Sequence, residues 1–123
     1  MFRIGDVVRF KSADAGYVKF HLCVSLDGHF TYLNSPKSKS FVGDFEIDGA
    51  LISGVPEHAS GRSVISCTKA MQFDRGQLAG LDATKTGEVA KTVLRDLYFF
   101  VENLSTLTPE TRDAILDGLG EWI

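Results

Sequence analysis

Residues 17–40 decide the fold of this chain, and they read YVKFHLCVSLDGHFTYLNSPKSKS. From residue 17 to residue 26 apolar side chains occupy every second position, which is typical of a strand. Asp27-Gly28 is a strong signal for a tight hairpin turn. A second strand over residues 29–33 ends at Asn34-Ser35-Pro36, because proline cannot continue a central ladder. The stretch therefore predicts a β-hairpin.

The rest of the first 80 residues also reads as β structure. Short apolar runs predict strands at 7–10, 45–47 and 64–67, and residues 71–73 continue the sheet after a bend at 69–70. Short strands joined by close turns favour a strongly curved antiparallel sheet that closes into a small barrel.

After Gly80 the apolar spacing lengthens to three and four residues, which predicts an amphipathic helix over about residues 84–104. Thr108 is a good helix cap and Pro109 fits the first helical position, so a second helix is predicted over residues 109–122. The fold class expected is mainly β with C-terminal helices, in one domain spanning residues 1–123.

Charge is distributed unevenly along a chain whose formal net charge is −3. Residues 1–43 hold six basic and three acidic side chains, whereas residues 81–123 hold four basic and eight acidic ones. A basic front on an acidic protein permits a local polyanion site. No apolar run approaches the roughly 20 residues of a membrane helix, and the N-terminus lacks signal-peptide features. A cytoplasmic protein without a membrane partner is therefore expected.

The cysteines and histidines do not suggest a cofactor. Cys23 and Cys67 stand in apolar, β-branched surroundings and are interpreted as small buried side chains, with redox chemistry as the alternative. His21, His29 and His58 are too scattered for a metal site. We expect neither a metal nor a cofactor.

The hairpin is predicted to gather polar groups at one end of the sheet. A tight turn at residues 27–28 pairs position 21 with about position 34, and position 19 with about position 36. The loop that follows adds further lysines. The side chains expected on this rim are Lys19, His21, Asn34, Ser35, Lys37 and Lys39.

This set suits metal-free RNA cleavage. A histidine titrates in the range useful for a base or acid, and lysines and a hydroxyl donate charge-assisted hydrogen bonds to phosphate. Attack by the 2′-hydroxyl would give a 2′,3′-cyclic phosphate. The alternative interpretation is plain surface: His21 as a structural residue and Asn34-Ser35-Pro36 as a strand terminator.

Other residues offer weaker indications. Tyr17, Tyr32 and Phe41 suit stacking on splayed bases, although packing is at least as good an explanation. Thr68 is an alternative to Ser35 as the reactive hydroxyl, and we prefer Ser35 because the rim collects positive charge.

The order of these segments resembles the PemK/MazF/ToxN toxins. GDVVRF at residues 5–10, LNSPK at 33–37 and SVI to FDRGQL at 63–78 carry the resemblance. The chain departs from the MazF pattern in having no Arg-Pro before the second strand, and in having Asn34-Ser35 where a threonine is usual.

The resemblance implies a PemK/MazF-type barrel and a metal-independent, sequence-preferring endoribonuclease toxin. It implies an RNA substrate, a cognate antitoxin that is either protein or RNA, and a possible homodimer. The catalytic basic residue falls at Lys19 or His21, and the catalytic hydroxyl at Ser35.

Two other functions remain open. One is a barrel that grips RNA or a protein without catalysis. The other is a CcdB-like gyrase-directed toxin, since that type also ends in a tryptophan-containing apolar tail, here Trp122-Ile123.

Overall fold

The computed structural model describes residues 2–12 and 14–123. Within them the strands are β1 (Asp6–Lys11), β2 (Val18–Cys23), β3 (His29–Asn34), β4 (Asp44–Asp48), β5 (Arg62–Gln72) and β6 (Thr84–Glu88). The helices are α1 (Arg75–Gly80), α2 (Lys91–Glu102) and α3 (Pro109–Leu119), with 3₁₀ turns at Gly49–Leu51 and Gly120–Trp122.

The strands form one sheet in the order β4-β5-β3-β2-β1-β6, and all neighbours are antiparallel. This confirms the mainly β class with C-terminal helices. The sheet is not closed, because β4 and β6 do not pair. The segment after β4 reaches the end of β6 through the isolated bridge Ile52–Val89 and a 3.0 Å hydrogen bond from Ser53 N to Glu88 O. The expectation of a closed barrel is therefore not confirmed.

The hairpin between β2 and β3 has a different register from the predicted one. Val24 N donates to His29 O at 2.9 Å, and His21 pairs with Tyr32 where position 34 was expected. The turn therefore takes in residues 25–28. Side-chain chemistry explains the longer turn: Ser25 Oγ accepts a hydrogen bond from His29 N at 2.9 Å, which removes Ser25 from the strand.

The predicted helix over 84–104 is wrong in its first part. Residues 84–88 form β6, which pairs with β1 and places Asp6 opposite Glu88. Val89 is buried and its N–H donates to Gly5 O, so it enters the core from an extended backbone. Val89 lies four residues before Val93, so its apolar side chain fitted the helical spacing of α2 although Val89 precedes the helix. The sequence pattern therefore placed the start of the helix too early.

The second predicted helix is confirmed as α3 and the 3₁₀ turn that follows it. Thr108 Oγ1 accepts a hydrogen bond from Thr111 N and Pro109 stands in the first turn, as a helix start requires. Among the helices of the described segments, none combines the length and apolar character needed to cross a membrane.

Both faces of the sheet carry a buried cluster, with different partners. α2 and α3 cover one face and form the larger core, which includes Leu22, Leu97 and Ile115. Neighbouring strand residues point to the opposite face, where a second cluster contains Phe10 and Phe30 and is closed by α1. We call it the second cluster; it consists of Val8, Phe10, Cys23, Phe30 and Leu78.

The two cysteines confirm the interpretation of buried small side chains. Both are free and buried, Cys67 in the larger core and Cys23 in the second cluster. Burial raises the pKa of Cys23 to about 11 and that of Cys67 to about 12. Both thiols are therefore protonated at neutral pH, and neither is a reactive thiolate.

Truncation of Leu97 to alanine tests the larger core. Leu97 is fully buried on α2, and removing a buried leucine side chain costs about 2–5 kcal/mol of unfolding free energy. Phe99→Ala on the same helix is the control, because that ring is 52% exposed. Urea denaturation measures both; equal losses would contradict this placement of α2.

Candidate functional site

A polar groove opens on the face that carries the second cluster, at the other end of the sheet. It has a volume of about 240 Å³. β3 and β5 form its floor, and the loop before β4 forms one wall. We call it the β3–β5 groove; its lining residues are Asn34, Ser35, Lys37, Phe41, Asp44, Val64, Ser66 and Thr68.

Lys19 is held at the edge of this groove by neutral partners. Its Nζ donates to Asn34 Oδ1 at 2.9 Å and lies 4.3 Å from the centre of the Tyr32 ring. Within the described residues no carboxylate lies in ion-pair distance of Lys19, whereas Arg62 and Lys69 are paired with Glu46 and Asp14. The ammonium of Lys19 is thus free to meet an anion.

The surroundings of Lys19 also change its proton affinity. Partial burial lowers the pKa of Lys19 from its usual value, and the positive charge of Lys37 lowers it further. Burial disfavours the charged form of an amine, and so does a neighbouring cation. Both effects ease the release of a proton from this ammonium.

The other predicted rim and stacking residues fall into three groups. Ser35 and Lys37 are exposed and line the groove. The ring of Tyr32 packs against the Lys19 ammonium, and the Tyr32 hydroxyl forms a short hydrogen bond with Ser12 Oγ. Tyr17 and Lys39 are exposed but are not among the lining residues. The structure thus places Asn34, Ser35 and Lys37 in the groove lining and Lys19 at its edge, through a hairpin register that differs from the predicted one.

His21 does not join them at the surface. It is fully buried and stacks on Phe10, with ring centres 3.7 Å apart and planes 6° from parallel. Neither ring nitrogen completes a hydrogen bond. Burial lowers the pKa of His21 to about 4, and the nearby backbone of Val8 and Lys19 offsets only part of this effect. The expected open face of β2 is therefore closed at His21, because the second cluster covers it.

The contribution of β4 to the groove was not predicted from the sequence. Asp44 pairs with Ser66 across β4 and β5, and the carboxylate accepts a 3.0 Å hydrogen bond from Phe41 N. Thr68, considered before as an alternative hydroxyl, lines the same groove. The alternation of acidic residues at 44, 46 and 48 was the available signal that one face of β4 is polar.

The C-terminal apolar pair is not a free tail. Trp122 is half-buried against the larger core, and Lys91 Nζ lies 5.4 Å from the centre of its ring. Ile123 is 61% exposed. This placement gives no particular support to a gyrase-directed role.

No protein-family model matches the chain, and no match is found among curated proteins or among solved structures. Within residues 2–12 and 14–123 no group of three or more His, Cys, Asp or Glu side chains is arranged to hold a metal ion.

His21 makes the stability of the fold depend on pH. Its pKa is about 4 in the folded chain and 6.5 when unperturbed, so between these values the unfolded chain binds more protons. This contribution to stability is complete above pH 6.5 and is lost as the pH falls towards 4, amounting to about 3 kcal/mol.

Urea denaturation of wild type and His21→Leu between pH 7 and pH 4 measures this effect. The unfolding free energy of the variant is expected to fall less than that of wild type by about 3 kcal/mol. His58→Gln, at an exposed position, should retain the wild-type pH dependence. Parallel curves for wild type and His21→Leu would refute the assignment.

Proposed function

We propose that this protein is a metal-independent, sequence-preferring endoribonuclease toxin of a toxin–antitoxin system, acting on RNA in the cytoplasm through the β3–β5 groove. The observation that carries the proposal is the position of Lys19. Its ammonium has no carboxylate partner among the described residues and is held by Asn34 at the edge of a groove that Ser35 and Lys37 line. An RNA phosphodiester is an anion that fits this arrangement.

The groove residues divide the reaction between them. Lys19 meets the phosphate as an ammonium and, once it has released that proton to solvent, takes the proton of the ribose 2′-hydroxyl. The 2′-oxygen then attacks phosphorus. Ser35 donates a hydrogen bond to a phosphoryl oxygen as negative charge builds there. The bond from phosphorus to the 5′-oxygen breaks, and Lys37 returns a proton to that oxygen. The products are a 2′,3′-cyclic phosphate and a free 5′-hydroxyl.

The PemK/MazF type of fold is part of the same proposal. Its support is the bridge Ile52–Val89, which brings the segment after β4 against the end of β6. The proposal includes a cognate antitoxin, protein or RNA, and a homodimer. It extends to Asn34, Lys39, Tyr17 and Tyr32 as RNA contacts.

One observation favours a second function, RNA binding without cleavage. The buried position of His21 leaves the groove without an imidazole, the side chain best matched to proton transfer at neutral pH. Lys19 would then serve only as a cation. Cleavage and binding are separated by the variants below.

Lys19→Met tests the catalytic assignment. Methionine keeps an unbranched apolar chain but can neither take a proton nor bind phosphate, so cleavage is expected to fall at least about 100-fold. The assay follows a fluorescent single-stranded RNA in the presence of EDTA. Lys91→Met is the matched control, because Lys91 lies on α2 against Trp122; it should cleave like wild type.

Three outcomes would decide between the two functions. Cleavage by wild type that needs an added metal ion would refute the mechanism. Intact RNA that is nevertheless bound would support the binding function. Unchanged cleavage by a folded Lys19→Met variant would remove Lys19 from the chemistry.

Ser35→Ala tests the hydroxyl. Loss of one donor to the transition-state charge is expected to lower the cleavage rate about 100-fold while leaving RNA affinity nearly unchanged. Ser105→Ala provides the control, because Ser105 is exposed in the loop between α2 and α3. Single-turnover kinetics separate rate from affinity; a change in affinity alone would make Ser35 a binding residue.

A further inference from the structure

The wall of the β3–β5 groove formed by residues 41–44 is hydrogen-bonded to the sheet through its backbone. Asp44 N donates to Phe41 O, and Cys67 N donates to Gly43 O at 2.7 Å. A Cβ at Gly43 would lie 2.3 Å from Thr68 N, so only glycine allows the loop to approach β5 this closely. The backbone that carries the Phe41 and Asp44 side chains is therefore packed directly against β5.

Two side chains of this wall have different character. Phe41 is 56% exposed and lines the groove with an aromatic ring. Asp44 Oδ2 accepts the 3.0 Å hydrogen bond from Phe41 N, and no hydrogen bond from the described residues reaches Oδ1. The groove thus combines a ring suited to stacking with an unused carboxylate oxygen fixed near it.

The floor of the groove, formed by β3 and β5, carries no charged side chain among the lining residues. Asn34 pairs with Val64, and Ser66 pairs with both Tyr32 and Asp44, which places an amide and a hydroxyl on the floor of the groove. Of the residues that line the groove, Lys37 is the cation and Asp44 the anion. Positive charge at Lys37 and the adjoining Lys19 suits a phosphate, while the Asp44 end suits a neutral hydrogen-bond donor.

We propose that the β3–β5 groove holds one nucleobase of the RNA against Phe41 and that Asp44 selects a base carrying an exocyclic amino group. The proposal rests on the RNA-cleaving function above and names the part of the substrate that the groove recognises. Stacking on an aromatic ring accepts any base, so selection falls to the carboxylate.

A carboxylate accepts hydrogen bonds and donates none. Cytosine, adenine and guanine offer an amino group to it. Uracil carries a carbonyl oxygen where cytosine carries the amino group, and two acceptors repel each other. Cytosine and uracil have the same ring size but differ at the exocyclic group and at N3, where uracil carries an N–H. Comparing the two bases in wild type and in an Asp44 variant therefore isolates the contribution of Asp44.

The test uses hexamers of 2′-O-methylcytidine and 2′-O-methyluridine, which bind without being cleaved because the attacking hydroxyl is blocked. Fluorescence anisotropy measures both affinities. Wild type is expected to bind the cytidine hexamer at least about ten-fold more tightly, since a hydrogen bond to a charged group contributes that much.

Asp44→Asn should reverse this preference. The asparagine oxygen still accepts from Phe41 N, while the amide NH₂ replaces Oδ1 and donates to the uracil carbonyl. Glu46→Gln is the matched control: it removes the same charge from the same face of β4, outside the groove lining. It should keep the preference for cytidine.

The outcomes separate the two proposals. Equal binding of both hexamers by wild type, with RNA cleavage intact, overturns base selection and leaves the nuclease standing. Binding of neither hexamer, with no cleavage of RNA, overturns both. A folded Asp44→Asn variant that still prefers cytidine overturns the role of Asp44. If that variant fails to fold, the base preference of wild type alone decides the proposal. Phe41→Ala should lower the affinity for both hexamers equally, because stacking does not distinguish the bases.

Discussion

The pairing of β5 with β3 in two registers is the constraint on which the open face of the sheet depends. Tyr32 pairs with Ser66, but Thr31 pairs with Ala70, so residues 67–69 form a bulge in β5. Before the bulge, β5 pairs with β4 and forms the floor of the groove. After it, β5 continues beside β3 to the turn that leads into α1, where the second cluster lies. One strand therefore separates a polar site from an apolar core on the same face.

The same stretch of β5 holds the wall of the groove. At Thr68 the backbone is displaced from the regular ladder with β3, and Gly43 packs directly against it. Cys67 N donates to Gly43 O, which extends the pairing of Asp44 with Ser66 by one residue. This hydrogen bond ties the loop that carries Phe41 and Asp44 to β5 and satisfies a backbone donor of β5.

The electrostatics of the groove follow from which cations lack carboxylate partners. Arg62 and Lys69 are each paired with a carboxylate on the surface, and exposed pairs of this kind contribute little to stability because solvent screens them. Lys19 is instead held by an amide oxygen and an aromatic ring. Its position is fixed without neutralising its charge, which is the property that an anion site needs.

The sequence by itself determined the first five strands, the existence of both C-terminal helices and the gathering of Lys19 and Asn34 at one end of the hairpin, because periodicity and turn residues act locally. Tertiary structure decided the register of the hairpin, the strand at residues 84–88 and the burial of His21. A period of two says which residues share a face, but not what covers that face. At Lys19 this face is open. At His21 it is covered by Phe10 and the other members of the second cluster. That cluster is built from strands and a helix that are distant from β2 in the chain.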